Sequence, residues 1–225
     1  MQRKAEIVAR NSRHKNQEVR DTFLLWDIGG KMRKAVVKRK TKETDISLEL
    51  NLDGKGVSSV STGIPFFNHM LVLMSKHGLL DFKVKAKGDI DVDFHHLVED
   101  VGICLGEAVK KALGKKIGIK RYGLAVVPMD ESLATTSLDI SGRGYLVFNV
   151  PGKKKARGSF DLELTEEFFG ALARSAGITL HINLKYGKNL HHMIEAVFKS
   201  AGRAFCEAVL LDKRVKGVPS TKGKL

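Results

Sequence analysis

A short run of metal-binding residue types occurs twice in this chain. His95-His96-Leu97-Val98-Glu99 recurs as His191-His192-Met193-Ile194-Glu195. Imidazole nitrogen and carboxylate oxygen, with no thiolate, make a donor set suited to Mn2+, Fe2+ or Zn2+ and ill suited to Ca2+. On a helix, each glutamate falls four residues after the first histidine and three after the second, so it shares a face with both. The two adjacent imidazoles are rotated by roughly 100° about the helix axis and are poorly placed to hold one ion together. Each motif therefore serves two metal centres, or one metal and one substrate. His69 and His77, eight residues apart, add further imidazoles on a segment that reads as the preceding helix; each also suits a satisfied core histidine. Arg121, Arg143, Lys199 and the basic tail Pro219-Ser220-Thr221-Lys222-Gly223-Lys224 offer guanidinium, ammonium, hydroxyl and amide donors for an anion such as phosphate.

The repetition extends past the motifs. Val101, Gly106 and Ala108 follow the first, and Val197, Gly202 and Ala204 follow the second at a shift of 96. Upstream, Glu43 and Asn51-Leu52-Asp53-Gly54 match Glu131 and Asp139-Ile140-Ser141-Gly142 at a shift of 88. This is an internal duplication of about 90 residues, too few copies for a solenoid and suited to a pseudo-symmetric pair around one core.

Stepping along the elements that must carry these residues, strands are predicted at 34–39 and 44–52 from their period-two alternation. A turn at 53–56 leads into a return strand beginning at Val57–Ser61. A helix is predicted from about Asn68 to Lys76, then strands at Phe82–Ala86 and Asp89–Phe94, then a helix from the first histidine pair to about Leu113. The second half predicts strands at 122–128, 133–140 and 144–150, a helix near 165–176, strands near 178–186, and a helix from 190 to about 211, so that each half reads β-β-β-α-β-β-α, give or take a strand. The expected class is α+β, a duplicated sheet with helices on one face. The expected organisation is an extension at 1–32, a first half at 33–121 and a second half at 122–225. The extension carries one small apolar cluster, Phe23-Leu24-Leu25-Trp26, and is expected to be loosely ordered with at most one short helix.

Composition narrows the function classes. With 225 residues, 43% hydrophobic content and four prolines, the chain can bury a core as one domain or two small ones. A net charge of +14 fits nucleic acid, an anionic membrane surface or phosphorylated substrates. Low aromatic content and the lack of a reader motif weigh against nucleic acid. No apolar run reaches membrane-spanning length, and no secretory signal pattern is visible. Cys104 and Cys206 lie in apolar helical stretches and are expected to be reduced core residues of a cytoplasmic protein. Two rival readings are a dinuclear hydrolase of phosphorylated substrates on the same scaffold and a non-catalytic RNA-binding protein.

The ordered motifs Arg39-Lys40-Thr41-Lys42-Glu43-Thr44, Gly63-Ile64-Pro65-Phe66-Phe67-Asn68-His69-Met70, His95-His96-x-x-Glu99-Asp100, Arg121-Tyr122-Gly123, Pro128-Met129-Asp130-Glu131, Ser141-Gly142-Arg143 and Gly187-Lys188-Asn189-x-His191-His192 closely resemble the imidazoleglycerol-phosphate dehydratases of histidine biosynthesis. The resemblance runs from about residue 33 to the C-terminus. It implies a duplicated fold like the second domain of ribosomal protein S5, and a homo-oligomer of 24 subunits with two manganese ions at interface active sites. It implies loss of water from D-erythro-imidazole-glycerol phosphate through a metal-held imidazolate and a diazafulvene-like intermediate, with no organic cofactor. Carried over by position, the expected ligands are His69, His95, His96, Glu99, His191, His192 and Glu195. Glu167 is added where many relatives have histidine, with His181 as the alternative. Glu43 is expected to be the acid–base residue, with Glu131 a weaker candidate of structural role. Arg121, Arg143, Lys199, Ser220, Thr221 and Lys222 are expected to hold the phosphate, with His77 as a further substrate contact. At Leu73 relatives often carry a polar residue, so one minor contact differs.

Overall fold

The structure is a computed structural model that describes residues 33–152 and 160–225. The expectations for 1–32, and the Lys153-Lys154-Lys155 cluster, lie outside the described residues.

Among the described residues, eight strands and four helices follow in order: β1 Lys34–Lys40, β2 Thr44–Asn51, β3 Ser58–Ser61, α1 Pro65–Gly78, β4 Asp81–Gly88, α2 His95–Leu113, β5 Tyr122–Met129, β6 Ser132–Asp139, β7 Tyr145–Asn149, α3 Leu162–Ala176, β8 Thr179–Tyr186 and α4 Leu190–Val209. Two four-stranded sheets result, ordered β1-β2-β4-β3 and β5-β6-β8-β7. The α+β class and its duplication are thus present, each half contributing one sheet and two helices. Strand alternation works as expected. In β2, Ile46, Leu48 and Leu50 are buried while Asp45 and Glu49 face out.

Two expectations are corrected. The segment after the 53–56 turn does not return along β2. β3 pairs parallel with β4, which sits between β2 and β3. Asp81, at the head of β4, accepts the backbone N–H groups of Lys55 (2.8 Å) and Val57 (2.9 Å), so β4 takes the edge of β2 and the turn is thrown across it. Asp89–Phe94 is not a strand but a turn. Its alternating Ile90, Val92 and Phe94 imitate strand periodicity, yet Val92 is 60% exposed and its N–H bonds back to the Asp89 carbonyl at 2.8 Å. Two of the aspartates make local bonds that compete with a ladder: Asp93 accepts from the His95 N–H at 2.8 Å, and Asp89 reaches the His96 ring.

α1 and α3 begin upstream of their predicted starts because their caps lie there, whereas α2 and α4 begin where expected. Pro65 opens α1 at a position where its missing N–H is not needed. The Asp161 side chain caps α3 by accepting from Glu163 and Leu164.

The helices cross between halves. α2 packs on α3, and α4 packs on α1. Both crossings are too close for a side chain. A Cβ on Gly106 would stand 2.7 Å from the Leu172 carbonyl oxygen, and one on Gly202 2.6 Å from the Met74 carbonyl oxygen. These two glycines occupy the same offset in the repeat. Around them, Phe67, Phe168, Phe169, Phe198 and Phe205 form a fully buried core shared by both halves. Cys104 is buried, and burial pushes its thiol up to about 12. Cys206 departs from the expected core position, being only half-buried. No helix among the described residues is long and apolar enough to cross a membrane.

Candidate active site

The helix crossing assembles the chemistry. Asn189 caps α4, its side chain accepting from the N–H groups of His191 (2.9 Å) and His192 (3.4 Å), which fixes both imidazoles at the helix start. One turn on, Glu195 Oε1 stands 2.8 Å from His191 Nε2 and 3.2 Å from Nε2 of His69, which α1 delivers from the other half. Glu195 is only 6% exposed. Burial pushes its carboxyl up, but hydrogen bonds from Lys199, His191 and His69 outweigh that and hold it down at about 2. Lys199 Nζ donates to Glu195 Oε2 at 2.5 Å. The His191 ring meets Phe66 edge-on at 5.0 Å, an apolar wall for this corner.

The other crossing builds a second group. His95 and Glu99 on α2 meet Glu167 on α3. In each triple, His69/His191/Glu195 and His95/Glu99/Glu167, one donor atom per residue lies within 4.8 Å of the others. Both suit a divalent cation by donor chemistry. They are not equal: the first offers two imidazoles and one carboxylate, the second one imidazole and two carboxylates. The second also carries its own cation, Arg174, whose Nη2 lies 3.1 Å from Glu167 and 3.6 Å from Glu99. His181, on β8, is exposed and belongs to neither triple.

The second histidine of each pair points elsewhere, as the rotation along a helix requires. His96 Nδ1 is 3.0 Å from Asp89 and 3.9 Å from Glu43, and the Asp89 bond raises its pKa. His192 Nδ1 is 2.7 Å from Glu131, which raises its pKa likewise. A carboxylate from the first hairpin of each half therefore faces a motif histidine. The two carboxylates differ in freedom. Glu131 also accepts the N–H groups of Asn189 (2.8 Å) and Lys188 (3.1 Å) and the Ser132 hydroxyl, and the Asn189 amide, His192 and the Lys188 amide hold it well below the usual carboxylate range. Glu43 is exposed at the hairpin tip, with His96 as its ion-pair partner.

The expected anion residues fall in two places. Arg121, with φ of 75°, spends Nε and Nη2 on Asp139 (2.7 and 3.2 Å) and Nη1 on the Pro219 carbonyl at 2.9 Å. It thus anchors the tail that carries Ser220, Thr221 and Lys222. That tail folds back on the Ser141-Gly142-Arg143 turn, where the Leu225 carbonyl carbon stands 2.6 Å from the point where a Gly142 side chain would begin. Arg143 is exposed beside it. Lys199 sits with the first triple instead. His77, half-buried at the end of α1, has its pKa lowered by burial and by the cations Lys199 and Arg203. Arg174 is not among the residues expected from the sequence; its position two turns after Glu167 on one helix is the signal that marks it.

Comparison with known proteins decides the family. Residues 62–205 match the imidazoleglycerol-phosphate dehydratase family. The chain is 57% identical to an imidazoleglycerol-phosphate dehydratase of Citrifermentans bemidjiense over 193 residues, covering 86% of this chain and 99% of the relative. The chain belongs to the imidazoleglycerol-phosphate dehydratase family. It is 61% identical to such a dehydratase of Clostridium botulinum over 191 residues, covering 85% of this chain and 97% of that one. The solved Staphylococcus aureus imidazoleglycerol-phosphate dehydratase superposes with a TM-score of 0.71 at 39% identity, covering 80% of this chain and 99% of that one. The Pyrococcus furiosus family structure gives 0.73 at 37% identity, covering 84% and 100%. Members of the imidazoleglycerol-phosphate dehydratase family are hydro-lyases, and this chain is an enzyme of that class.

Proposed function

We propose that the chain dehydrates D-erythro-imidazole-glycerol phosphate to imidazole acetol phosphate in histidine biosynthesis, using two manganese ions per active site. The observation that carries this reading is the convergence of a duplicated motif into two His/Glu triples in a chain of this family. His69, His191 and Glu195 would hold one ion, and His95, Glu99 and Glu167 the other. His96 and His192 stand outside both triples in their own chain and would complete the centres of neighbouring subunits. Assembly into a homo-oligomer, of 24 subunits by the family resemblance, is therefore part of the proposal. When bound, the ions supply Lewis acidity and a template that orients the substrate imidazole.

The chain's own residues do the rest. The reaction removes a hydroxyl from the carbon beside the ring and a proton from the next carbon, which is not acidic in water. The enol so formed then takes a proton on carbon and becomes the ketone. One group must collect a proton and return it. Glu43 suits that work, exposed and with His96, at 3.9 Å, the partner of its carboxylate among the described residues. Glu131 is committed to the amides that open α4. Arg143 and Lys199, with Ser220, Thr221 and Lys222 on the tail that Arg121 anchors, would hold the phosphate, and His77 would add a contact nearby. Holding the non-reacting end fixes the reacting carbons against Glu43.

The test is turnover of imidazole-glycerol phosphate by metal-stripped protein, with and without added Mn2+. Activity restored by the metal is expected. No turnover from a folded, metal-loaded sample overturns the reading, and phosphate release in its place would mark a hydrolase.

A further inference from the structure

Asp100 follows Glu99 on α2 and is turned away from the metal-type donors, toward the first sheet. It is a carboxylate only 7% exposed, and the chemistry above does not use it. Its Oδ2 accepts the Thr44 hydroxyl at 2.5 Å and its Oδ1 accepts Arg39 Nε at 2.9 Å. Thr44, itself 4% exposed, opens β2. Its hydroxyl lies 3.2 Å from that of Thr41, and the Thr41 hydroxyl accepts the N–H groups of Thr44 (2.9 Å) and Glu43 (3.1 Å). A continuous hydrogen-bonded chain therefore runs from the buried Asp100 through Thr44 and Thr41 to the backbone of Glu43. It ties a hairpin tip to the same helix that carries His95, His96 and Glu99.

The molecule contains its own comparison. At the repeat offsets of Glu43, Thr44, Thr41, Arg39 and Asp100 stand Glu131, Ser132, Met129, Val127 and Ala196. The second half keeps the carboxylate and loses every other part of the chain except one hydroxyl. There the carboxylate is held directly, by the amides of Lys188 and Asn189 and by His192. In the first half the backbone is held and the carboxylate is left for other work. Tips of hairpins are ordinarily mobile, and a buried charge is costly unless it is paired and hydrogen-bonded. A buried aspartate satisfied by a tip threonine and a strand arginine is a way to make such a tip rigid without engaging its acid.

We propose that Asp100, Thr44 and Thr41 are positioning residues that hold Glu43, beside His96, where its carboxylate can exchange a proton with the reacting carbons. This rests on the reading of Glu43 as the acid–base group. Misplacement by about 1 Å costs on the order of 10²-fold in rate, so the chain's loss should appear in turnover rather than in binding.

The experiment compares Thr44→Val, Thr44→Ser, Thr41→Ala, Glu43→Gln and the double variant Glu43→Gln/Thr44→Val as Mn2+-loaded enzymes, with kcat, KM, bound manganese and thermal unfolding measured for each. Thr44→Val is expected to lower kcat by about 10- to 100-fold, with KM and bound manganese within about two-fold. Thr44→Ser, which restores a hydroxyl, should recover most of the loss. Thr41 is exposed, so Thr41→Ala keeps the fold and should lower kcat in the same direction even if Thr44→Val is unstable. In the Glu43→Gln background, Thr44→Val should add no further loss, because residues acting through one group are not additive. A wild-type kcat in Thr44→Val and Thr41→Ala, with Glu43→Gln inactive, overturns the positioning role alone. So does a loss that tracks manganese content or unfolding, or one that adds in full to Glu43→Gln. A fully active Glu43→Gln removes the acid–base reading and the proposal with it.

Discussion

Glu195 Oε1 lies 3.2 Å from Nε2 of His69, a residue 126 positions earlier that belongs to the other half of the repeat. The contact exists because α4 lies across α1 at a separation set by Gly202, whose missing side chain leaves room for the Met74 carbonyl. Gly202→Ala would place a methyl 2.6 Å from that oxygen and 3.1 Å from the Gly78 nitrogen. Neither is the end of a flexible side chain, so the helices must part. The expected cost is about 1–3 kcal/mol of stability, with weaker manganese binding because His69 moves off His191 and Glu195. Denaturant unfolding and a manganese titration read the two effects. A stable variant with unchanged metal binding would show that the crossing distance does not set the site.

The duplication, the class of the fold and the helices bearing the HHxxE motifs are legible in the sequence because they rest on local pattern. Apolar spacing marks the strands and helices, and the glutamate spacing places one carboxylate beside each histidine pair. Which helix packs on which is not local. Nothing in the periodicity of α2 says that its partner is α3 rather than α1, although Gly106 and Gly202 at matching offsets mark the close crossings. The alternation at Asp89–Phe94 misleads for a related reason. Period two records only that apolar and polar residues alternate, and there Asp93 bonds to the chain and Asp89 to His96 instead of facing solvent from a strand. Likewise the basic tail reads as an anion binder, but only the folded chain shows Arg121 committed to Asp139 and Pro219.

Arg174 occupies the place of a positive charge between Glu167 and Glu99. A divalent cation drawn to the same two carboxylates must displace it. Arg174→Gln removes the competitor and the repulsion between guanidinium and metal, so manganese should bind the His95/Glu99/Glu167 group more tightly. The pair is exposed and screened, which limits the gain to about five-fold. The His69/His191/Glu195 group, with its own Lys199, should be unaffected. Isothermal titration of metal-free protein resolves the two classes. Weaker binding in the variant would mean that Arg174 holds the carboxylates in place instead of competing for them.

Asp81 governs the turn that sends β3 to the far side of β4. Its carboxylate accepts two backbone N–H groups and the Asn51 amide at 3.2 Å. Burial pushes its pKa up, but those donors from Val57, Lys55 and Asn51 outweigh it and bring it below the ordinary 3.8. A carboxyl depressed on folding stabilises the native state above its unfolded value, and that contribution disappears as pH falls through the folded value. The chain should therefore lose this contribution below about pH 4. Asp81→Asn keeps an oxygen for the two N–H groups but turns an NH2 toward the Asn51 amide. It should cost about 1 kcal/mol at pH 7 and flatten the acid limb of stability. Denaturant midpoints at pH 7, 4 and 3 measure both, and an unchanged acid limb would remove Asp81 as its source.

Glu43 and Glu131 hold matching positions in the repeat and face matching histidines, so exchanging each for glutamine separates chemistry from architecture. In Glu131→Gln an amide replaces the carboxylate that receives Lys188, Asn189 and His192. The start of α4 loses a charged acceptor, and His191 and His192 stand on that turn. The expected outcome is a lower unfolding midpoint and reduced bound manganese, with activity falling only as far as the metal does. Glu43→Gln touches no backbone donor among the described residues, where the partner of its carboxylate is His96 at 3.9 Å. It should keep its midpoint, its manganese and its KM while kcat drops by about 10²- to 10⁴-fold, the span over which a positioned acid–base group acts. Metal content and kcat measured on the same samples give the comparison directly. If kcat per bound manganese falls equally in both variants, the asymmetry between the two carboxylates has no catalytic meaning, and Glu131 must share the proton transfer.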